Sequence, residues 1–353
     1  MSPLEPITHL LTGACLSRAG LNRTTGLATL TVVLAAEAPD LDVVYFFFGG
    51  SVTGFQHHRG FTHTLLGAPV VAAVAVAGVY GVYRLMTRRG WKPRLAPRWN
   101  LLFAYALFAV LVHIFQDFTN NYGVRPFAPF NPRWYSWDIV FIVDPMMLAA
   151  LILGLVVPGV LRLIKEEVGA GQPHFRGRGG AIFALVCLAA VILVRDFEHR
   201  RAVTALNSIT YRNEDPLRAS AFPYALNPFA WGGVVETRDF FEILQVDSSS
   251  GQVDPQNQAR VRYKPEETPV TLAAKKSRLG QVYLDWAQYP LLGTEPLPGT
   301  AGYVVQFQDL RFAYAQDSSR SQSPPLAGYV ELDPQLRVTG QYIGERAAEK
   351  PAR

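Results

Sequence analysis

Seven consecutive residues, His57-His58-Arg59-Gly60-Phe61-Thr62-His63, place three imidazoles and a guanidinium directly before an apolar run, Thr64 to Tyr83, that holds no charged residue. Polar groups at the mouth of an apolar segment need partners, because burying them unpaired is costly. Imidazoles suit a divalent metal, a guanidinium suits a bidentate grip on phosphate or carboxylate, and Gly60 lets the backbone approach a metal or substrate closely. The partners are among the other His and acidic residues of the first 145 positions: His9, Glu37, Asp40, Asp42, His113, Asp117, Asp138 and Asp144.

His113 and Asp117 stand at i and i+4, on one face of a helix, where they can bind one metal or bridge two. The plainer alternative for that pair is an interhelical His–Asp hydrogen bond. Asp40 and Asp42 flank Leu41 after Pro39, a helix stop that can aim both carboxylates at one cavity,. The candidate metal ligands are His9, Asp40, His63, His113 and Asp117. Arg59 would hold an anionic group, Glu37 would act as a general base, and His58 joins them in the catalytic group. Asp42, Asp138 and Asp144 are alternative ligands, or partners that orient the ligands. For His9 the ordinary reading is a surface residue at a helix start, with Thr8 as its N-cap.

The elements that must position these residues are long and apolar. Thr8 to Ala19 and Thr24 to Ala38 read as a helical hairpin about Leu21-Asn22-Arg23,. A signal peptide cleaved at Ala36-Glu37-Ala38 is a rival reading, but it would discard His9 and leave Pro39 as the new first residue,. Val43 to Phe48 is a further apolar stretch, and Gly49 to Gln56 reads as a loop. Phe61 to Tyr83 then spans a bilayer by length. Asn100 to Gln116 and Ile139 to Leu163 are further spans, and Gly179 to Val194 is the weakest. The direction of the chain puts every candidate ligand at one end of these segments and the basic loops at the other.

From Asp196 onward the pattern changes to short runs rich in β-formers: Gly233 to Thr237, Phe240 to Val246, Gln258 to Tyr263, Gly302 to Phe307, Leu310 to Tyr314 and Gly328 to Leu332,. Ser318 to Pro325 reads as an exposed loop. The expected architecture is an α-helical polytopic membrane domain of five or six spans over 1–198. A smaller strand-rich soluble domain, α+β or all-β, follows over 199–345, with a tail over 346–353.

The net charge of +5 on 353 residues does not point to nucleic acid, because many Lys and Arg residues sit in short loops between apolar runs,. The stretch from Arg84 to Arg98 carries six basic residues and no acid, which marks that end as cytoplasmic,. The ligand end and the soluble domain are then extracytoplasmic. Cys15 and Cys187 both fall in apolar segments, so neither a disulfide nor thiolate–metal chemistry is indicated,.

The set Thr8-His9-Leu10-Leu11-Thr12-Gly13, Pro39-Asp40-Leu41-Asp42, His58-Arg59-Gly60-Phe61-Thr62-His63 and His113-x-x-x-Asp117 resembles the YdjM-like family over residues 1 to about 165. Members are described as inner-membrane-associated metal-dependent hydrolases and as LexA-binding. Thr64, where Ser is usual, and Glu37, where a small residue is usual, depart from that pattern. More loosely, the order of the ligands is similar to that of zinc-dependent phospholipases C. The residues and the resemblance together lead to a multi-pass protein of the cytoplasmic (inner) membrane that holds one or two divalent ions, zinc by donor type. It would hydrolyse an ester or phosphoester, a lipid among the candidates, with membrane lipids as its other partners. The competing class is a non-catalytic metal-binding membrane protein, transporter or assembly factor. Transporters carry ionisable residues near mid-span, whereas these crowd one end.

Overall fold

The computed structural model describes residues 5–167, 177–317 and 324–344. The tail, most of the loop expected at Ser318 to Pro325 and the middle of the second basic stretch lie outside the described residues. The chain divides into two compact units. One comprises Met1–Asp42, Arg59–Phe197 and Ala225–Pro228; the other comprises Val43–His58, Glu198–Tyr224 and Phe229–Arg353.

The helical unit is built from α1 (Glu5–Ala19), α2 (Ala28–Glu37), α4 (Ala68–Arg88), α5 (Trp99–Thr119), α6 (Pro145–Glu167) and most of α7 (Arg178–Asn207), while α3 (Val44–His57) belongs to the second unit. Among the described residues α4, α5 and α7 are long and apolar enough to cross a membrane, and α6 offers a shorter apolar stretch, Pro145–Leu161. Small residues let these helices pack closely. Val32, Ala35, Ala36, Ala68, Ala72, Ala106 and Ala109 form one core, and Cys15, Ile139, Met147, Leu151, Ala181 and Ala184 form another,. At the α1–α2 crossing a Cβ on Gly13 would come to 3.0 Å from the Ala36 Cβ.

Two ends of this unit can be told apart by their polar contacts. At the basic end, Arg98 N donates to Thr25 Oγ1 (2.7 Å), Gly26 N donates to Ala96 O (3.3 Å) and Arg178 Nε donates to Ala19 O (2.8 Å). At the other end Asp144 caps α6 by accepting from Met146 N and Met147 N, and its Oδ2 lies 2.7 Å from Arg195 of α7, both side chains being buried.

The strand-rich unit holds two antiparallel sheets. In the first, β1 (Arg218–Pro223), β2 (Ala230–Glu236), β3 (Phe240–Asp247) and β4 (Gln252–Val253) follow in order, and β5 (Arg260–Tyr263) also pairs with β3. After α8 (Pro269–Lys276) and α9 (Arg278–Trp286) comes the second, β6 (Pro290–Pro296), β7 (Tyr303–Asp309), β8 (Gly328–Leu332) and β9 (Val338–Ile343), again in order. Thr268 and Ser277 start the two helices by accepting from Thr271 N and Gly280 N,.

Four local expectations need correction. Val44–His57 is helical on both sides of Gly50 where an apolar stretch and a loop are expected; Gly50, at φ 73° and ψ 178°, is non-helical and joins two helical pieces across a kink,. The span expected from Phe61 starts at Ala68, because Thr64 breaks the chain direction: its Oγ1 donates to Phe61 O and accepts from Gly67 N. His63 therefore lies in a 3-10 turn, Phe61–His63, ahead of the helix. The short segment expected to end at Val194 runs on as helix to Asn207. Leu310–Asp317 is a 3-10 helix rather than a strand, started by Asp309, whose Oδ1 accepts from Arg311 N.

Candidate metal centre

Four side chains from three elements meet at the non-basic end of the helical unit: Asp40 from the 3-10 turn Ala38–Val43, His63 from the turn before α4, and His113 and Asp117 from α5. Each offers one ligand atom, and the four atoms lie within 4.8 Å of one another. His63 Nε2 lies 3.1 Å from His113 Nε2, 3.4 Å from Asp40 Oδ1 and 3.2 Å from Asp117 Oδ2. His113 Nε2 lies 3.5 Å from Asp40 Oδ1 and 3.4 Å from Asp117 Oδ2. A tetrahedral ion with ligands at about 2.0–2.1 Å has ligand–ligand edges of about 3.3–3.4 Å. The five distances bracket that value.

Hydrogen bonding outside the group decides which ring nitrogens carry protons. His113 Nδ1 lies 2.7 Å from Ala36 O, which can only accept, so this nitrogen is the donor,. His63 Nδ1 lies 3.0 Å from Thr62 Oγ1 and 3.4 Å from Asp42 Oδ2; Thr62 Oγ1 in turn donates to Asp42. That leaves His63 Nδ1 a donor too. In the neutral rings both Nε2 atoms are then lone-pair acceptors, facing each other and two carboxylates. Four acceptors with no donor among them require a cation or added protons.

The charges respond to this crowding. Burial would raise the Asp40 carboxyl, but the His113 and His63 imidazoles beside it outweigh burial and hold it well below its usual range. Burial likewise would lower the His63 imidazole, and Asp117 and Asp40 outweigh it, holding the ring above its ordinary value. A divalent ion would take the place of these protons.

Asp117 is held from behind. Its Oδ1 meets Arg59 NH2 at 3.0 Å and His9 Nε2 at 3.3 Å, so Oδ2 is the oxygen turned to the imidazoles. Arg59 is fully buried and directs NH1 to Asn120 Oδ1 (3.0 Å) and Gly123 O (3.2 Å), with its guanidinium over the Tyr122 ring. Its own backbone N–H donates to Asp42 Oδ2 at 2.7 Å. The His9 ring lies tilted against His113 with centroids 3.9 Å apart, and its Nδ1 lies 3.2 Å from Gln116 Oε1. Gln116 Nε2 donates to Thr12 Oγ1, which donates to Thr8 O. A cavity of about 20 Å³, room for one water, lies between α1, α5 and the start of α6, against His9, Asp117 and Asp144.

Of the residues singled out in the sequence, the structure thus brings Asp40, His63, His113 and Asp117 into one group. His9, Arg59 and Asp42 contact that group from outside. Glu37 ends α2 one turn before Asp40, with Oε1 buried and no hydrogen-bond partner for that atom. Asp144 lines the small cavity but pairs with Arg195. Asp138 has a left-handed φ of 58° and is not among the four. His58 ends α3 in the strand-rich unit, edge-on to Phe46. The sequence assigns no role to Gln116, Asn120 or the Ala36 carbonyl, and Thr12 enters it only within the Thr8 to Gly13 stretch. Asn120-Asn121 just past the end of α5 was the one signal that could have drawn attention.

A family model described as YdjM inner membrane protein matches residues 4–202. The chain is 26% identical over 120 residues to the uncharacterized protein YfhP of Bacillus subtilis (strain 168). That stretch is 33% of this chain and 32% of the relative, so the chain spans about a third of the relative's length. No solved structure matches it.

Proposed function

The chain belongs to the YdjM inner membrane protein family, and from that premise we propose that it is a membrane-bound hydrolase that uses one divalent ion, zinc, to cleave an ester or phosphoester. The observation that carries this reading is the group of four acceptors, three of them buried, in which five of the six edges measure 3.1–3.5 Å. When bound, such an ion polarises an ester or phosphoryl oxygen and lowers the pKa of a water.

The chain's own residues do the rest. Asp40, His63, His113 and Asp117 would hold the ion, and Asp42 and the Ala36 carbonyl fix the two imidazoles by their Nδ1 hydrogens. Arg59 and His9 keep Asp117 turned so that Oδ2 faces the ion. These two donors occupy the place where a second ion would bind Oδ1, which favours a single ion over two. Arg59 thereby serves to position a ligand, since its two terminal nitrogens are directed at Asp117, Asn120 and Gly123. Glu37, with a buried free oxygen beside the group, is the residue placed to take a proton from the attacking water.

The membrane domain over 1–198 would cross with α4, α5, α6 and α7, with α1 and α2 beside them as a hairpin that reaches the basic end, six segments in all. The six basic residues between Arg84 and Arg98 hold that end in the cytoplasm, which puts the centre on the extracytoplasmic side,. The strand-rich domain over 199–345 follows α7 out of the membrane. Alkaline phosphatase fused after Arg353 is then active and the same reporter at Gly90 is silent; activity at Gly90 reverses the orientation.

The deciding experiment for the chemistry is metal analysis of detergent-purified protein, wild type against His113→Ala and Asp117→Ala, with turnover of a phosphoester and ester panel before and after chelation. Zinc near one per chain, lost in both variants, with chelator-sensitive turnover, supports the reading. Full zinc in both variants overturns the metal centre. One zinc with no turnover moves the protein to the second reading, a metal-binding membrane protein without catalysis. The small size of the cavity beside Asp117 is the observation that favours this alternative.

A further inference from the structure

The centre is ringed, at its own level, by outward-facing apolar side chains. Leu41, between Asp40 and Asp42, is 66% exposed; Phe61, two residues before His63, is 55% exposed; Phe115, between His113 and Asp117, is 45% exposed. Leu10, next to buried His9, is exposed as well. Each segment that brings a polar residue inward therefore turns a large apolar one outward within two positions. A centre standing clear of the membrane would be rimmed by polar side chains.

Helix lengths give the same depth. α4 and α5 have 21 residues each, about 31 Å at ~1.5 Å per residue, which matches a hydrocarbon core of about 30 Å. His113 is six residues inside the Thr119 end of α5, about 9 Å down the helix axis. In a layer of that thickness crossed end to end by α5, His113 would lie inside it, Asp117 two residues from its edge, and His63, five residues ahead of Ala68, at the edge itself,.

Only one of the four ligands reaches the surface. The Asp40 side chain is 18% exposed, whereas those of His63, His113 and Asp117 are at 0–1%. Asp40 emerges beside Leu41, and the exposed residues Leu30 and Leu34 continue the apolar track along the outer face of α2. The cavity on the opposite side, against His9 and Asp117, admits about one water by its volume of about 20 Å³,.

We infer that the centre takes its substrate sideways from the surrounding leaflet, past Leu41 to Asp40, and that this substrate is the headgroup ester or phosphoester of a membrane lipid, its acyl chains lying along Leu30, Leu34 and Leu41. The inference rests on the hydrolase reading for the reaction but on exposure and helix length for the route. Hydrolysis adds one water across the linkage: its oxygen and one hydrogen stay with the acyl or phosphoryl group, the bond to the alcohol breaks, and the alcohol takes the other hydrogen.

The test uses the full chain in vesicles of phosphatidylethanolamine and phosphatidylglycerol. Nitroxide labels are placed at Leu41→Cys, Phe61→Cys and Phe115→Cys in a Cys187→Ser background, with Ser250→Cys in the strand-rich unit as the water-exposed reference. Power saturation with oxygen and with a water-soluble nickel chelate reports depth. A benzophenone amino acid in place of Leu41 reports lipid contact by crosslinking and mass spectrometry. All three labels should be open to oxygen and several-fold less accessible to nickel than Ser250→Cys, and the benzophenone should capture phospholipid. Nickel access at Leu41 or Phe61 equal to the reference overturns the route, and so does shielded depth without any lipid captured at Leu41. Neither readout needs a bound ion or turnover, so a failed hydrolase reading and a failed lipid route give different results.

Discussion

Both units bury an arginine against an aspartate, and the two pairs differ in what the second carboxylate oxygen does. In the strand-rich unit Asp309 is closed: Oδ1 accepts from Arg311 N, and Oδ2 accepts from Arg311 Nε and Gln288 N. Arg311 completes the arrangement by donating to Trp286 O, its guanidinium over the Trp286 ring. In the helical unit Arg59 and His9 take Oδ1 of Asp117, while Oδ2 points at two imidazole nitrogens that are themselves acceptors. A closed pair is a staple, since both oxygens that burial strips of water have donors. An open pair is unfinished without a further positive charge. The contrast separates structure from site more sharply than burial does, because all four side chains are buried.

The comparison breaks if removing the two carboxylates has the same effect. Asp117→Ala should abolish metal binding, whereas Asp309→Ala should leave metal content intact and destabilise the strand-rich unit by about 3–5 kcal/mol, the usual result of orphaning a buried ion. Metal analysis and thermal unfolding of the two variants read both effects. A smaller change sharpens it: Asp42→Asn removes the carboxylate that holds the His63 Nδ1 hydrogen and should weaken metal affinity by about 10–100-fold, as loss of such orienting partners does. A competitive chelator titration measures this.

Smaller again is the pH effect. Asp117 and Asp40 hold the His63 ring above its ordinary value against burial, so an incoming ion must displace a proton. Apparent affinity should therefore fall as pH falls and level off above the range where the ring is protonated. Calorimetric titrations in two buffers of different protonation enthalpy would show the released proton, and identical heats would contradict it. The smallest effect belongs to an exposed pair: Lys275→Ala, which breaks the contact with Glu267, should shift stability by no more than about 0.5 kcal/mol and leave the metal unchanged.

The helical unit and the four gathered residues were legible because their signals are local. Apolar length announces a membrane segment, and His113 and Asp117 share a helix face by spacing alone. His63 and Asp40 could be assigned to the same end by following chain direction. The sequence does not reveal the roles of donors and acceptors, which depend on contacts far apart in the chain. Nothing in the spacing of residue 36 and residue 113 tells that the Ala36 carbonyl holds the His113 ring. Arg59 reads from sequence as a grip for an anionic substrate, and only the fold shows its donors directed at Asp117, Asn120 and Gly123. Boundaries suffered where a side chain overrides an apolar run, as Thr64 does ahead of α4. The strand expected over Leu310 to Tyr314 failed for a similar reason, since Asp309 holds the chain in a tight turn.

The close approach at Gly13 works as a gauge for the centre. A Cβ on Gly13 would press the methyl of Ala36 at 3.0 Å as well as Val32 O at 3.2 Å and Val33 Cα at 3.3 Å, and the carbonyl of that same Ala36 holds the His113 ring. One added methyl group would act as a shim between α1 and α2, and the shift of α2 would reach the aim of an imidazole by way of Ala36. Gly13→Ala should therefore leave the protein in the membrane with its helices formed and detune the coordination of an added metal, visible as a changed absorption spectrum of the cobalt-loaded protein.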